Sequence, residues 1–181
     1  MFLNSNQRLY LPSEDSFLLV KSVEGYTGKS ALEIGVGSGA VLKVLHENFL
    51  IVAGTDIDFV SVRHCKENLP NDIMLACCDA ASAFRYKFEL IVSNPPYLPV
   101  EDNEKKDSAI HGDSNGIETT LRFIKSATSV LAENGKMLMV VSSLSNTPKI
   151  AEFIVQMNLK RRTISEKKLF FETLTTIEIS F

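Results

Sequence analysis

With 181 residues, 45% hydrophobic and 23% charged, the chain has the size and composition of one ordinary globular domain. Its formal charge of −3 gives no global attraction to a phosphate backbone, which counts against a polyanionic partner. No apolar run approaches membrane-spanning length, and Met1 to Pro12 lacks the apolar stretch of a secretory leader.

Pro12 and Ser13 open the first predicted helix. Ser13 is placed to cap it, Glu14 and Asp15 suit the positive end of its dipole, and Phe17, Leu18, Val20 and Val23 supply its apolar side. Residues 30–34 read as strand and 35–39 as a glycine-rich loop, after which Val41, Leu42, Val44 and Leu45 follow at helical spacing. A strand at 50–55, a helix at 58–68 and strands at 72–78 and 88–93 come next. Cys65, Cys77 and Cys78 lack metal-ligand spacing and read as reduced thiols of a cytoplasmic protein. Cys77 and Cys78 fall on opposite sides of their strand and read as packing residues. A helix over 117–132 precedes a strand at 136–142, with Asn134-Gly135 as its stop. Residues 148–157 read as helix, and 160–166 with 173–181 as a closing hairpin.

Strands alternating with helices predict an α/β fold with a doubly wound, mostly parallel sheet, formed as a single domain over 1–181. The connection from Pro95 to about Gly116 is long for such a domain, and its charged segment 101–107 reads as a solvated face. His46 and His64 sit in helical segments and read as solvent-facing, while His111 lies in the long loop.

Two motifs carry chemistry. The first is Ala31-Leu32-Glu33-Ile34-Gly35-Val36-Gly37-Ser38-Gly39. Glycines between a strand and a helix let the backbone approach a ligand, and the spacing with Asp56 also fits a dinucleotide fingerprint. Glu33 discriminates between the two. A carboxylate at that strand end repels a pyrophosphate and attracts a cation such as the α-ammonium of S-adenosylmethionine. Asp56 ends the second strand, where it suits ribose hydroxyls; Asp79 ends the third, where it suits an adenine amine. Ile57 is placed to pack on the adenine.

The second motif is Asn94-Pro95-Pro96-Tyr97, directly after the apolar run 90–93. The Asn94 side-chain oxygen and the Pro95 carbonyl make a pair of acceptors suited to the two hydrogens of a planar NH2 group. Pro96 stiffens the turn, and Tyr97 is placed to lie against the amide plane. Read on its own, the same sequence is also an ordinary strand-ending turn.

Taken together these motifs resemble the class I S-adenosylmethionine-dependent methyltransferases of the HemK type, the release-factor glutamine methyltransferases. The similarity covers nearly the whole chain. Tyr10-Leu11-Pro12-Ser13-Glu14-Asp15-Ser16-Phe17-Leu18-Leu19 resembles the opening motif of the archaeal and eukaryotic branch, with Ser16 at a cofactor-touching position. Residues 112–118 and 169–174 resemble the segments after the catalytic loop and before the last strand. The resemblance implies a Rossmann-like seven-stranded sheet in the order 3-2-1-4-5-7-6. It implies S-adenosyl-L-methionine as cofactor, with S-adenosyl-L-homocysteine as product.

Cofactor contacts are expected from Ser16, Glu33, Gly35, Gly37, Gly39, Asp56, Ile57, Asp79, Ala80 and Asn94, and catalytic ones from Asn94, Pro95, Pro96 and Tyr97. The expected substrate is the glutamine of a Gly-Gly-Gln loop in a peptide chain release factor. The bacterial N-terminal recognition domain is not expected here. A small zinc-binding activator protein is the expected partner, pairing with the apolar edge strand 72–78. No metal site is expected in the chain itself. An adenine amine in nucleic acid offers the same planar NH2 and stays open as a second substrate class. A dinucleotide-dependent oxidoreductase is the third reading, and Glu33 argues against it.

Overall fold

The computed structural model describes residues 10–96 and 117–181. Its elements in chain order are α1 (Glu14–Val23), β1 (Gly28–Ile34), α2 (Ala40–Asn48), β2 (Phe49–Asp56), α3 (Phe59–Asn68), β3 (Met74–Cys77), β4 (Phe88–Ser93), α4 (Glu118–Val130), β5 (Leu131–Ser142), α5 (Thr147–Gln156), β6 (Lys160–Lys168) and β7 (Thr173–Ser180). The seven strands lie in the order β3-β2-β1-β4-β5-β7-β6. The first five run parallel, and β7 is antiparallel to both β5 and β6. This is the seven-stranded order that the family resemblance implies.

Strand periodicity sorts the apolar residues between two faces. Leu32, Ile34, Ile91, Met137 and Met139 join Ile124, Ala127 and Val130 of α4 and Ile150 and Ile154 of α5. On the opposite face Ala31, Leu90, Val92, Leu138 and Val140 join Leu18, Leu19 and Val23 of α1, Val41, Leu42 and Leu45 of α2, and Cys65 of α3. Helices on both faces of a mostly parallel sheet leave its edges as the places open to ligands. The reversal of strand order between β1 and β4 opens a crevice at their carboxyl ends, and Gly35 and Asn94 follow those strands there.

Several local expectations need correction. Ser13 stands at the start of α1 without making a side-chain cap; its hydroxyl donates to Asp15 Oδ1 at 2.6 Å instead. Phe17 is 56% exposed, and Leu19, with no exposed surface, takes its place on the buried side of α1. Asn134-Gly135 does not end α4, which stops at Val130. It lies in a bulge of β5, because Phe88 pairs with Leu131 while Leu90 pairs with Lys136. A Cβ on Gly135 would stand 2.9 Å from both the Phe88 carbonyl oxygen and Leu131 Cδ1, so the bulge needs glycine for space. Cys77 is exposed on the edge strand, where its thiol donates to the Ile57 carbonyl at 3.6 Å, whereas Cys65 is fully buried; all three cysteines are free. His46 is half-buried against Asp72, with Nε2 3.1 Å from both carboxylate oxygens. No described helix is long and apolar enough to cross a membrane. Tyr97, His111 and the charged segment 101–107 lie outside the described residues.

Candidate active site

A cavity of about 300 Å³ opens at the carboxyl ends of β1, β2 and β4, within the range of small-molecule sites. Glu33, Gly35, Gly37, Asp56, Ile57, Asp79, Ala80, Ser16, Asn94, Pro95 and Pro96 all line it. Gly39 does not. It has φ +79 at the start of α2, and a Cβ there would come within 2.8 Å of Leu69 Cδ1 and 2.9 Å of Cys65 Sγ. Its role is to let α2 and α3 close on each other behind the loop.

The loop 35–39 is built by β2. The N–H groups of Gly35 and Val36 both donate to the Thr55 carbonyl, at 2.8 and 3.0 Å. Gly37, at φ +47, donates its N–H to Asp56 Oδ2 at 3.0 Å. Asp58 N–H occupies Asp56 Oδ1 at 2.9 Å, so backbone donors orient this carboxylate at the cavity wall. Burial pushes the Asp56 pKa up, and these N–H groups pull it back in part.

Glu33 is the most unusual group in the site. It is 3% exposed, and its Oε2 has no hydrogen-bond partner among the described residues. Burial holds its carboxyl well above the usual range, the Leu42 N–H acts against this, and the charge of Asp56 adds to the rise. A buried, unpartnered carboxylate oxygen lining a cavity is a site for a cation or a strong donor. Beneath it, burial pushes the Cys65 thiol up to about 12, so that sulfur packs as a small apolar group.

Asp79 is half-exposed at the rim and forms an ion pair with Arg122 at 3.5 Å. Ala80 follows at φ 46 and is buried, an uncommon conformation for a residue with a Cβ. Ile57 is 68% exposed beside the same rim, an apolar surface free to meet a planar ring.

Asn94 follows β4 directly. Its Oδ1 is buried without a partner among the described residues, while the side chain hydrogen-bonds with Asp15. Asp15 is itself 3% exposed and accepts from Tyr10 Oη at 2.8 and 3.0 Å, Ser13 Oγ at 2.6 Å and Ser16 N–H at 2.6 Å. Burial acts against its charge, but the hydrogen bonds from Ser13, Asn94, Tyr10 and Ser16 outweigh it and lower the pKa.

Sequence reasoning passed over Asp15, Tyr10 and Ser38, and over Thr119, Arg122 and Phe123 of α4. The last three share one helical face at i, i+3 and i+4, a signal that marks a face without saying what it meets. No group of three or more His, Cys, Asp or Glu side chains suited to a metal occurs among the described residues.

The family of the methyltransferase small domain matches residues 13–170. A Methanocaldococcus jannaschii protein named as a protein N5-glutamine methyltransferase is 31% identical over 97% of this chain and 93% of its own length. A Streptococcus pneumoniae release factor glutamine methyltransferase is 28% identical over 78% of this chain, which spans 57% of that longer relative. Among solved structures, the E. cuniculi Mtq2-Trm112 complex, described as methylating the eRF1 translation termination factor, is similar with a TM-score of 0.75. It is 22% identical over 94% of this chain and 97% of its own. A T. thermophilus 16S rRNA methyltransferase solved with S-adenosylmethionine and guanosine has a TM-score of 0.68 and 19% identity, over 94% of this chain and 44% of its own. The buried Glu33, the glycine loop, the strand-terminal acids and the amide after β4 thus sit in a fold shared with methyl-transferring enzymes, and the chain belongs to the methyltransferase small domain family.

Proposed function

We propose that this chain transfers a methyl group from S-adenosylmethionine to the side-chain amide nitrogen of the glutamine in the Gly-Gly-Gln loop of a peptide chain release factor. The observation that carries this reading is Asn94 Oδ1: a buried acceptor that, like Glu33 Oε2, has no partner among the described residues, its side chain lining the same cavity as Glu33.

The residues present fit the cofactor. Glu33 takes the α-ammonium, the orphaned oxygen gaining the partner it lacks. Gly35 and Gly37 let the backbone approach. Asp56 accepts from the ribose hydroxyls, Ile57 packs on the adenine, and Asp79 with Ala80 meets its amine edge. Ser16 closes the wall near the methionine end. When bound, S-adenosylmethionine supplies an electrophilic methyl group on a sulfonium.

An amide nitrogen is a poor nucleophile because its lone pair is delocalised into the carbonyl. Asn94 Oδ1 and the Pro95 carbonyl each accept one N–H of the substrate amide, which orients the nitrogen and stabilises the positive charge that develops on it. No general base is needed at the outset, since the nitrogen becomes acidic as it is alkylated. Pro96 keeps the turn rigid.

The release factor follows the named relatives, the partner follows the Mtq2-Trm112 complex, and the zinc-binding nature of that partner follows the family resemblance alone. β3 is an edge strand of four residues with Met74 43% exposed and Cys77 exposed. Such an edge is a template for another chain, and a small zinc-binding activator is the proposed occupant, in the cytoplasm where translation termination takes place.

Incubation of the chain with labelled S-adenosylmethionine and a purified release factor, with and without the candidate activator, tests the reading. Mass spectrometry is expected to find one methyl on the Gly-Gly-Gln glutamine. Label in nucleic acid alone would favour an adenine amine and overturn the glutamine assignment.

A further inference from the structure

We propose that Asp15 is a positioning residue for methyl transfer: it fixes the Asn94 amide with Nδ2 against the cavity wall and Oδ1 toward the substrate. The inference rests on Asn94 receiving the substrate NH2, as proposed above.

An asparagine amide can sit in two orientations related by a half-turn, nearly equal in shape and opposite in chemistry. One presents an acceptor to the cavity, the other an NH2 donor that would repel the NH2 of a substrate. The neighbour decides which is adopted. An ionised carboxylate has no proton to give, so it accepts from Nδ2 and cannot pair with Oδ1. Asp15 is held in that state by its surroundings. Tyr10 Oη, Ser13 Oγ and Ser16 N–H all turn donors toward it, within 2.6 to 3.0 Å. Its side chain is buried, lines the same cavity as Asn94 and hydrogen-bonds with the Asn94 side chain, and Asn94 Oδ1 is left without a partner among the described residues. An acid placed for the helix dipole alone would need neither burial nor a contact with the end of β4.

Asp15→Asn keeps the shape and removes the constraint, because a carboxamide can offer Asn94 either a donor or an acceptor. The side-chain NH2 signals of Asn94 in ¹⁵N-labelled protein, assigned by their loss in Asn94→Ala, report the contact without any turnover. In the wild-type chain one of the two protons is expected downfield and slow to exchange, and in Asp15→Asn both features are lost. With the release factor as substrate, kcat of Asp15→Asn is expected to fall on the order of 10²-fold, the scale of a misplaced reacting group. Cofactor Kd from titration calorimetry stays within about threefold.

Ordinary Asn94 signals in the wild-type chain overturn the proposal without recourse to any variant. Signals that shift in Asp15→Asn while kcat stays unchanged also overturn it, since the contact would then be structural. If the wild-type chain fails to methylate the release factor, the glutamine reading fails, and the Asn94 signals still decide whether Asp15 fixes the amide.

Discussion

Glu33 and Asp56 face one cavity from neighbouring parallel strands, and the charge of Asp56 adds to burial in raising the Glu33 pKa well above its ordinary value. The free chain therefore carries an electrostatic penalty at the point where we propose that a cation binds.

Replacing Glu33 by glutamine is expected to stabilise the free chain at neutral pH. The folded pKa of Glu33 lies above its unfolded value. Its favourable contribution is thus complete at low pH and lost as pH rises through the raised value. Thermal melts of Glu33→Gln should show a higher melting temperature at pH 7, because the carboxamide removes the buried charge that the folded chain disfavours. The gain should vanish below about pH 4, where the carboxyl is protonated in both states. An unchanged or lower melting temperature at pH 7 would contradict the burial argument.

The same residue gives cofactor binding a pH signature. Binding a cation favours the ionised carboxyl, so affinity should rise with pH from the ordinary carboxylate range through the raised value. It should fall again as the ligand's own α-ammonium deprotonates near about 8. Calorimetry in buffers of different ionisation enthalpy is expected to show proton release below that point, and Glu33→Gln should abolish it.

Asn94→Ala and Asp56→Ala should separate the two halves of the site. Loss of the Asn94 acceptor is expected to lower kcat by on the order of 10²–10³-fold with cofactor Kd within a few fold. Asp56 also holds Gly37 and Asp58 through their N–H groups, so its removal loosens the loop and binding fails first. Normal cofactor affinity in Asp56→Ala would sink the ribose assignment.

Gly39→Ala should cost stability although Gly39 does not line the cavity. The added methyl meets Cys65 and Leu69 at a positive φ, a combined cost of about 2–3 kcal/mol. Gly25→Ala, where nothing lies within 4 Å, should stay within about 0.5 kcal/mol. Chemical denaturation of the pair checks both.

Much of this was legible in the sequence because the strands are buried on both faces and read as apolar runs. The order of β1, β2, β4 and the glycine loop places Glu33, Asp56 and Asn94 at one edge by topology alone. Legibility failed where one residue type has two uses. Asn134-Gly135 signals a helix stop or a bulge with equal force, and the steric demand beside Phe88 that selects the bulge is a tertiary fact. Phe17 and Leu19 fit a helical face equally well in sequence, and the packing of α1 on the sheet chooses Leu19. Asp15 was read for the helix dipole because its contact with Asn94 crosses most of the first half of the fold.

The seat of α1 has a consequence for assembly. Ser22 Oγ bonds with Ser165 Oγ at 2.8 Å and Thr176 Oγ1 at 3.0 Å, partners 143 and 154 positions away, and Tyr26 Oη donates to Glu178 Oε2 at 2.6 Å. Lys167 reaches Glu14 across the same seam. The helix that carries Asp15 is therefore latched by strands made long after it. The wall beside Asn94 therefore depends on β6 and β7, and a change that loosens either strand reaches Asp15 through the seat of α1.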